Sequence, residues 1–177
     1  MKHQLRYYGD PILREKAQPV EEITEEVRQL VKEMLEFIKT HDALGLAAPQ
    51  IGILLRIFVA NVDYEDENGE VHVTEPTVYI NPVLKNHSEA IVERTEGCLS
   101  VPKLYLAIPR PLSVTVEAMD INGNRFTRDM YGYAARNIMH ENDHLNGVLF
   151  FDWLKGKRRT QIDPQLRLIK QKYYKKS

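Results

Sequence analysis

The segment with the clearest chemical potential contains two histidines, in His140-Glu141-Asn142-Asp143-His144. The apolar spacing predicts a helix from about Tyr131 to Leu145 that ends at Asn146-Gly147. Residues i and i+4 share one face of a helix, so both imidazoles can bind one metal ion while Glu141 lies beside it as a base. Two histidines on a helix can also be polar surface or hydrogen-bonded core residues, and the pentapeptide alone leaves that alternative open.

A catalytic metal site of this kind needs a third protein ligand. Metallopeptidases with the H-E-x-x-H pattern commonly take a downstream His or Glu, but the sequence after His144 has neither and offers only Asp152 and Asp163 as carboxylates. We therefore expect the third ligand upstream, where Cys98 is the single cysteine of the chain. A lone cysteine is more often a small buried apolar residue, and by itself Cys98 favours that interpretation.

Three segments together change this interpretation, because they closely resemble the signature motifs of the peptide deformylases. They are Gly45-Leu46-Ala47-Ala48-Pro49-Gln50, Glu96-Gly97-Cys98-Leu99-Ser100 and His140-Glu141-Asn142-Asp143-His144. The resemblance extends to Tyr8-Gly9-Asp10-Pro11-Ile12-Leu13-Arg14 and Ile80-Asn81-Pro82, and so covers nearly the whole chain. It implies a metal-dependent hydrolase that removes the formyl group from the N-terminal methionine of newly made bacterial proteins.

The resemblance implies that Cys98, His140 and His144 hold the metal and leave one position for water. A site with three protein ligands and an open position lets the metal lower the pKa of its water from 15.7 to about 7. The family points to one Fe²⁺ per chain, which Ni²⁺, Co²⁺ or Zn²⁺ can replace. Ligand softness alone is also compatible with zinc.

The same resemblance assigns catalytic roles to three further residues. Glu141 would accept the proton of the attacking water and pass it to the departing amine. The Gln50 side-chain amide and the Leu99 backbone N–H would donate hydrogen bonds to the formyl oxygen as negative charge develops there.

Two acidic residues of the motifs are expected to support the metal ligands. Glu96 would orient the site from behind, toward Arg110 or Arg136, and the sequence does not choose between these partners. Asp143 either holds a ligating imidazole by its second nitrogen or caps the helix.

The substrate-binding residues expected from the resemblance are Leu44, Gly45, Arg94, Tyr133 and Asn137. Gly45, which has no Cβ, would let the substrate backbone lie close to the loop, although a glycine can also simply serve a turn. Arg94 and Asn137 depart from the family pattern, in which these positions are usually apolar. They lead to the hypothesis of a methionine pocket with a more polar wall, whose selectivity differs accordingly.

The remaining pattern predicts an α+β fold, with antiparallel or mixed sheets folded around a central helix that carries the H-E-x-x-H motif. An amphipathic helix is expected after Thr24 and a last helix after Pro164. Residues 45–52 are expected to form a loop, and Asn68-Gly69 and Asn122-Gly123 to form turns. The predicted strands are Leu54–Val62, Thr77–Leu84, Ala90–Arg94, Leu112–Met119 and Arg125–Met130.

The composition indicates one globular domain over residues 1–177, because 43% hydrophobic and 28% charged residues are ordinary for such a chain. A single cysteine excludes an intramolecular disulfide and favours the cytoplasm. We expect no membrane partner, since there is no apolar leader and no apolar run of roughly 18 residues.

A strongly basic segment, described here as the basic C-terminal tail, covers residues 155–177. It has nine Lys and Arg against one acid and so carries +8, while the other 154 residues carry −9. A solvated helical face is the simpler interpretation. If the substrates are N-formylmethionyl nascent polypeptides, however, the tail would suit contact with ribosomal RNA near Arg158, Arg159, Lys170 and Lys172.

Two rival interpretations remain at the level of sequence. An H-E-x-x-H endopeptidase is opposed by the missing downstream ligand and by the upstream Cys98 motif. A catalytically inactive metal-binding protein is opposed by the presence of Glu141 and Gln50, because neither residue is needed to hold an ion.

Overall fold

The structure is a computed structural model that describes residues 3–61, 63–65, 71–73 and 75–174. The turn expected at Asn68-Gly69 and the basic residues Lys175 and Lys176 lie outside the described residues. The helices are α1 Glu25–Thr40, α2 Gly132–Leu145, α3 Gly156–Gln161 and α4 Asp163–Tyr173, with 3-10 turns at Pro11–Arg14, Ala48–Ile51 and Phe150–Trp153. No helix among these described residues is long and apolar enough to cross a bilayer.

The strands form one larger sheet and two hairpins, all with antiparallel pairing. The larger sheet has five strands in the order β1-β2-β5-β8-β9, and the hairpins are β3-β4 and β6-β7. The expected α+β class is confirmed. The bounds are β1 Gly45–Ala47, β2 Ile57–Ala60, β3 Asp63–Glu65, β4 Val71–Val73, β5 Thr77–Lys85, β6 Ile91–Cys98, β7 Val101–Pro111, β8 Ser113–Met119 and β9 Arg125–Tyr131.

Helix α1 covers one face of the sheet. Its N-cap is Thr24, whose side-chain oxygen accepts a hydrogen bond from the Val27 N–H, and two glutamates in its first turn suit the positive end of the helix dipole. Its apolar side chains pack with Ile57 and Val59 of β2 in one core cluster. The amphipathic pattern therefore placed this helix correctly.

Helix α2 covers the opposite face, where Phe58 and Ala60 of β2 pack with its apolar residues. Because successive strand residues point to opposite faces, β2 is buried on both sides, which explains its unbroken apolar sequence. The helix ends as expected, since Gly147 adopts a φ of 69°. A Cβ at Gly147 would also lie 2.4 Å from the Arg14 carbonyl oxygen. Both the positive φ and this close contact therefore favour glycine.

The basic C-terminal tail packs against the rest of the protein over its described residues, 155–174. Leu166 and Ile169 of α4 are buried in a third core cluster with β7 and the Phe150–Trp153 turn. The exposed side chains of the segment carry its positive charge, as in an ordinary amphipathic surface helix.

Several element predictions were wrong in detail. The segment expected to be a loop after Gly45 forms the edge strand β1 and a 3-10 turn, because its small apolar residues are buried beside β2. The strand expected over Leu54–Val62 is limited to Ile57–Ala60 in the described residues. Strand β7 was not predicted, since its three prolines argue against a strand. Among the described strands it pairs with β6 alone, and the unpaired edge tolerates prolines.

Candidate active site

The candidate metal ligands come from two elements that meet beneath the cleft. Cys98 is the last residue of β6, directly before the Leu99-Ser100 turn into β7. His140 and His144 lie one turn apart on α2. One ligand atom from each of the three residues lies within 4.8 Å of the others, and the Cys98 Sγ is 3.3 Å from the His144 Nε2.

Glu96 orients the first of these histidines. Its carboxylate accepts a hydrogen bond from the His140 Nδ1 at 3.0 Å, which leaves the other ring nitrogen for the site. It also accepts hydrogen bonds from the Arg110 Nε at 2.6 Å and from Arg136. The sequence did not choose between these two arginines, and Glu96 binds both. Burial opposes ionisation of Glu96, but bonds from His140 and Arg110 outweigh it and lower its pKa to about 2.

Asp143 has a different role from the two expected for it. Its carboxylate accepts hydrogen bonds from the Arg110 Nη1 at 2.7 Å and from the Trp153 Nε1 at 2.8 Å, and it neither holds an imidazole nor caps the helix with its side chain. Arg110 is completely buried between Glu96 and Asp143. These contacts link the Cys98 hairpin to α2, and sequence reasoning missed the part played by Trp153.

The arrangement fits a bound metal ion. A thiol and two imidazoles are donors that transition metals favour. Beside them, the Glu141 Oε2 is buried and has no hydrogen-bond partner in the described residues. Buried polar atoms are normally paired, so an unpaired carboxylate oxygen at this place suits a bound ligand. Burial also raises the pKa of Glu141 to about 7.

Gly45 lies against the Glu141 side chain. A Cβ at position 45 would stand 2.6 Å from the Glu141 Oε1, closer than real Cβ atoms approach. The structure thus supplies a reason for glycine that the sequence did not suggest, namely room for the carboxylate. A close approach of the substrate backbone is compatible with the same feature.

Gln50 connects the first motif to the second. Its Oε1 accepts from the Ala47 N–H at 2.8 Å, while its Nε2 donates to the Cys98 Sγ at 3.5 Å and to the Ser100 Oγ at 3.3 Å. Gln50 and Ser100 are both buried. Ser100 was not singled out from the sequence, where only its place in the second motif marks it.

A cleft of about 1010 Å³ opens over these residues. It brings together most of the residues expected at the site, namely Leu44, Gly45, Gln50, Cys98, Leu99, Tyr133, Asn137, His140 and Glu141. His144 is buried and does not line the cleft. Arg94 does not line it either, and its guanidinium instead lies 4.3 Å from the centroid of the Tyr133 ring.

Asn137 holds two backbone segments beside the cleft. Its Nδ2 donates to the Leu44 and Asn61 carbonyl oxygens, both at 2.9 Å. The polar side chain is therefore engaged with the chain itself, on the side of the cleft formed by β1.

Comparison with known proteins identifies the family of this chain. The family model for polypeptide deformylases matches residues 2–160. The chain belongs to the polypeptide deformylase family. It is 44% identical over 172 residues to a peptide deformylase of Thermus thermophilus, covering 92% of this chain and 88% of that one. It is 40% identical over 166 residues to one of Pseudothermotoga lettingae, covering 94% and 91%.

Solved structures lead to the same conclusion. The chain resembles the crystal structure of peptide deformylase 1B of Arabidopsis thaliana with a TM-score of 0.85 and 36% identity, over 96% of this chain and 91% of that one. It resembles the Thermotoga maritima peptide deformylase with a TM-score of 0.78 and 36% identity, over 88% and 99%. The protein is a hydrolase that removes the N-formyl group from newly made polypeptides.

Proposed function

We propose that deformylation takes place at a metal centre formed by Cys98, His140 and His144. The observation that carries this proposal is the approach of these three donors to within 4.8 Å of one another, beside the buried Glu141. A metal ion held there would supply Lewis-acid chemistry and would lower the pKa of a water to about 7. Formylated peptide enters through the cleft above.

Glu141 accepts one proton of the attacking water as the water oxygen bonds to the formyl carbon. The same carboxyl then gives a proton to the amine nitrogen as the carbon–nitrogen bond breaks. Formate and a free N-terminal amine result.

Gln50 and Leu99 stabilise the negative charge that develops on the formyl oxygen. The Gln50 Nε2 is held next to the Cys98 Sγ by its existing hydrogen bonds, and Leu99 follows Cys98 directly. The Gln50 Nε2 carries two hydrogens, so the long bond to the Cys98 Sγ gives way to a bond to the formyl oxygen, while the side chain is already in place when charge develops.

Leu44, Gly45, Tyr133 and Asn137 bind the substrate, since all four line the cleft. Arg94 acts indirectly in this proposal, by holding the Tyr133 ring through a cation–π contact. Asn137 adds polarity to the wall and also secures the Leu44 carbonyl.

Formate release from formyl-Met-Ala tests the proposal, with Glu141→Ala as the comparison. The native protein should release formate and the variant should not, although both should retain metal. Cleavage of interior peptide bonds would indicate an endopeptidase instead. Metal binding without any formate release would indicate an inactive protein.

Fe²⁺ is the proposed native metal, and Ni²⁺, Co²⁺ or Zn²⁺ are proposed substitutes. The mixed sulfur and nitrogen donors accept all four ions. Fe²⁺ reacts with oxygen and can promote oxidation of the neighbouring Cys98, whereas Ni²⁺ does not react in this way, so exposure to air should inactivate an iron-loaded sample and spare a nickel-loaded one. Equal stability of the two samples in air would count against iron.

We further propose that the basic C-terminal tail, residues 155–177, contacts the ribosome. We also propose that the protein resides in the cytoplasm, where nascent chains are made. Residues 1–177 are taken to act as one domain. Arg158 and Arg159 already pair with Glu93 and Asp163, so the support comes mainly from exposed lysines such as Lys157 and Lys172.

Charge reversal tests ribosome contact without removing α4 from the core. Lys157→Glu combined with Lys172→Glu should weaken co-sedimentation with ribosomes at low salt, because fewer cations face the RNA phosphates. Lys16→Glu combined with Lys32→Glu changes the net charge equally at exposed positions outside the segment and serves as the control. Equal binding of both double variants would rule out the segment as the contact.

A further inference from the structure

The hairpin that carries Cys98 has a large irregularity beside the cleft. Cys98 pairs with Val101, but the next pair along the hairpin joins Glu96 to Leu106. Residues 102–105 of β7 therefore lie opposite Gly97 alone. The Tyr105 ring occupies the space next to Gly97, where a Cβ would be 2.7 Å from a ring carbon.

Lys103 lies within this bulge in an uncommon backbone conformation. Its φ is +62°, in the left-handed region that non-glycine residues rarely adopt. Such residues are often retained at ligand-binding sites, where the surrounding structure over-determines them. Lys103 is exposed, lines the cleft, and has no hydrogen-bond or ion-pair partner within the described chain.

The other charges of the cleft make this lysine distinctive. Among the described lining residues, the other arginine or lysine is Arg136, which is buried and bound to Glu96 and to backbone carbonyls. Asp42 lines the cleft from the loop after α1. One uncommitted cation thus stands on the β7 side, with one exposed acid on the α1 side.

From these contacts we infer that Lys103 binds a carboxylate of the peptide downstream of the formylmethionine and favours substrates that carry one. The inference rests on the deformylase function and adds a preference within the same cleft. The carboxylate comes either from an Asp or Glu side chain or from the free C-terminus of a short peptide. Both supply the same anionic group to the ammonium.

Four peptides separate these sources: formyl-Met-Ala-Gln-amide, formyl-Met-Ala-Glu-amide, formyl-Met-Ala-Lys-amide and formyl-Met-Ala-Gln with a free carboxylate. An exposed ion pair contributes little, so the acidic peptides should exceed the neutral amide in kcat/KM by about two- to fivefold. The lysine peptide should fall below the neutral one. The advantage should shrink at about 0.5 M salt, because exposed charges are screened there.

Variants at the two charged positions should move the acid-to-neutral ratio in opposite directions. Lys103→Gln should bring the ratio to about one and Lys103→Glu should bring it below one, while Asp42→Asn should raise it. Neither replacement of Lys103 is a glycine, so all three side chains bear the same left-handed backbone cost. Lys155→Glu alters the net charge outside the cleft and should keep the native ratio.

The outcomes distinguish this inference from the function on which it rests. An acid-to-neutral ratio of one for the native protein, or a ratio that Lys103→Glu and Lys155→Glu change equally, overturns the role of Lys103. The salt dependence of the acid-to-neutral ratio is measured on the native protein, so it tests the ion pair with the substrate even where a variant folds poorly. Failure to release formate from any of the peptides would instead contradict the deformylase function itself.

Discussion

Two parts of the site, a buried wall behind the candidate metal ligands and the rim of the cleft, are built in opposite ways. The buried wall, Glu96 with Arg110, Arg136 and Asp143, is a closed set of ion pairs in which Arg110 is 0% exposed. The rim, Leu44 with Lys103, Tyr105 and Tyr133, is open to solvent, and Tyr105 is 72% exposed. His140, one of the candidate metal ligands, is hydrogen-bonded to Glu96 of the first set, and the second set includes the proposed substrate-binding residues Leu44 and Tyr133.

The buried wall holds its side chains in a fixed geometry, whereas the rim tolerates substitution. A buried ion pair holds its partners in one geometry because breaking it leaves an uncompensated charge. An exposed side chain with few contacts can be exchanged at little cost in stability. Substitutions in the buried wall should therefore disturb chemistry and folding, whereas those on the rim should change which peptides are preferred.

The largest effect is expected at the reacting group itself. Glu141→Gln removes the proton acceptor while keeping nearly the same shape, so kcat should fall by about 10²- to 10⁴-fold. Metal content measured by elemental analysis should match that of the native protein. Full activity in the variant would show that another group moves the proton.

Arg110→Met should give the next largest effect, on stability. The change removes the cation shared by the buried Glu96 carboxylate and the half-buried Asp143 carboxylate, which should cost about 3–5 kcal/mol in the free energy of unfolding. Urea denaturation measures this cost.

The matched control is Arg158→Met, which breaks the exposed pair with Glu93 and should cost about 1 kcal/mol or less. Similar costs for the two variants would contradict the contrast between the buried wall and the exposed surface.

Gly45→Ala tests whether the close approach of Gly45 to the Glu141 carboxylate is needed for activity. The added Cβ would stand 2.6 Å from the Glu141 Oε1 and must displace the carboxylate. A displacement of about 1 Å can cost 10²-fold, so kcat should fall by up to about that factor. A loss confined to KM would indicate that the glycine serves only the substrate backbone.

Asn137→Ile should have the smallest effect, on selectivity. An apolar side chain at this position should raise the preference for methionine over polar first residues by about tenfold or less. Competition between formyl-Met and formyl-Ser peptides measures the preference. Asn137→Ala loses the same bonds to the Leu44 and Asn61 carbonyls without adding apolar surface, so an equal effect of both variants would refute the polar-wall hypothesis.

Local signals explain which parts of the fold were predictable from the sequence. Helices α1 and α2 combine an amphipathic period with recognisable end signals, so the start of α1 and both bounds of α2 were predicted nearly correctly. Strand β7 contains Pro102, Pro109 and Pro111, which masked it, and α3 has no buried residue to create an apolar period.

The site also has one part that was predictable from the sequence and one part that was not. The motif residues that meet around the candidate metal position could be proposed from the sequence through family resemblance. Arg110 and Asp143 are 33 residues apart, and nothing local shows that they pair or that Trp153 joins them. The bulge at Lys103 depends on strand register, which tertiary packing decides.

X-ray absorption spectroscopy of the zinc-loaded protein tests the metal centre most directly, because it reports the ligand atoms. One sulfur at about 2.3 Å and nitrogen neighbours at about 2.0–2.1 Å are expected, and the sulfur signal should vanish in Cys98→Ala. A spectrum without sulfur in the native protein, or one left unchanged by Cys98→Ala, would contradict a centre built from Cys98, His140 and His144.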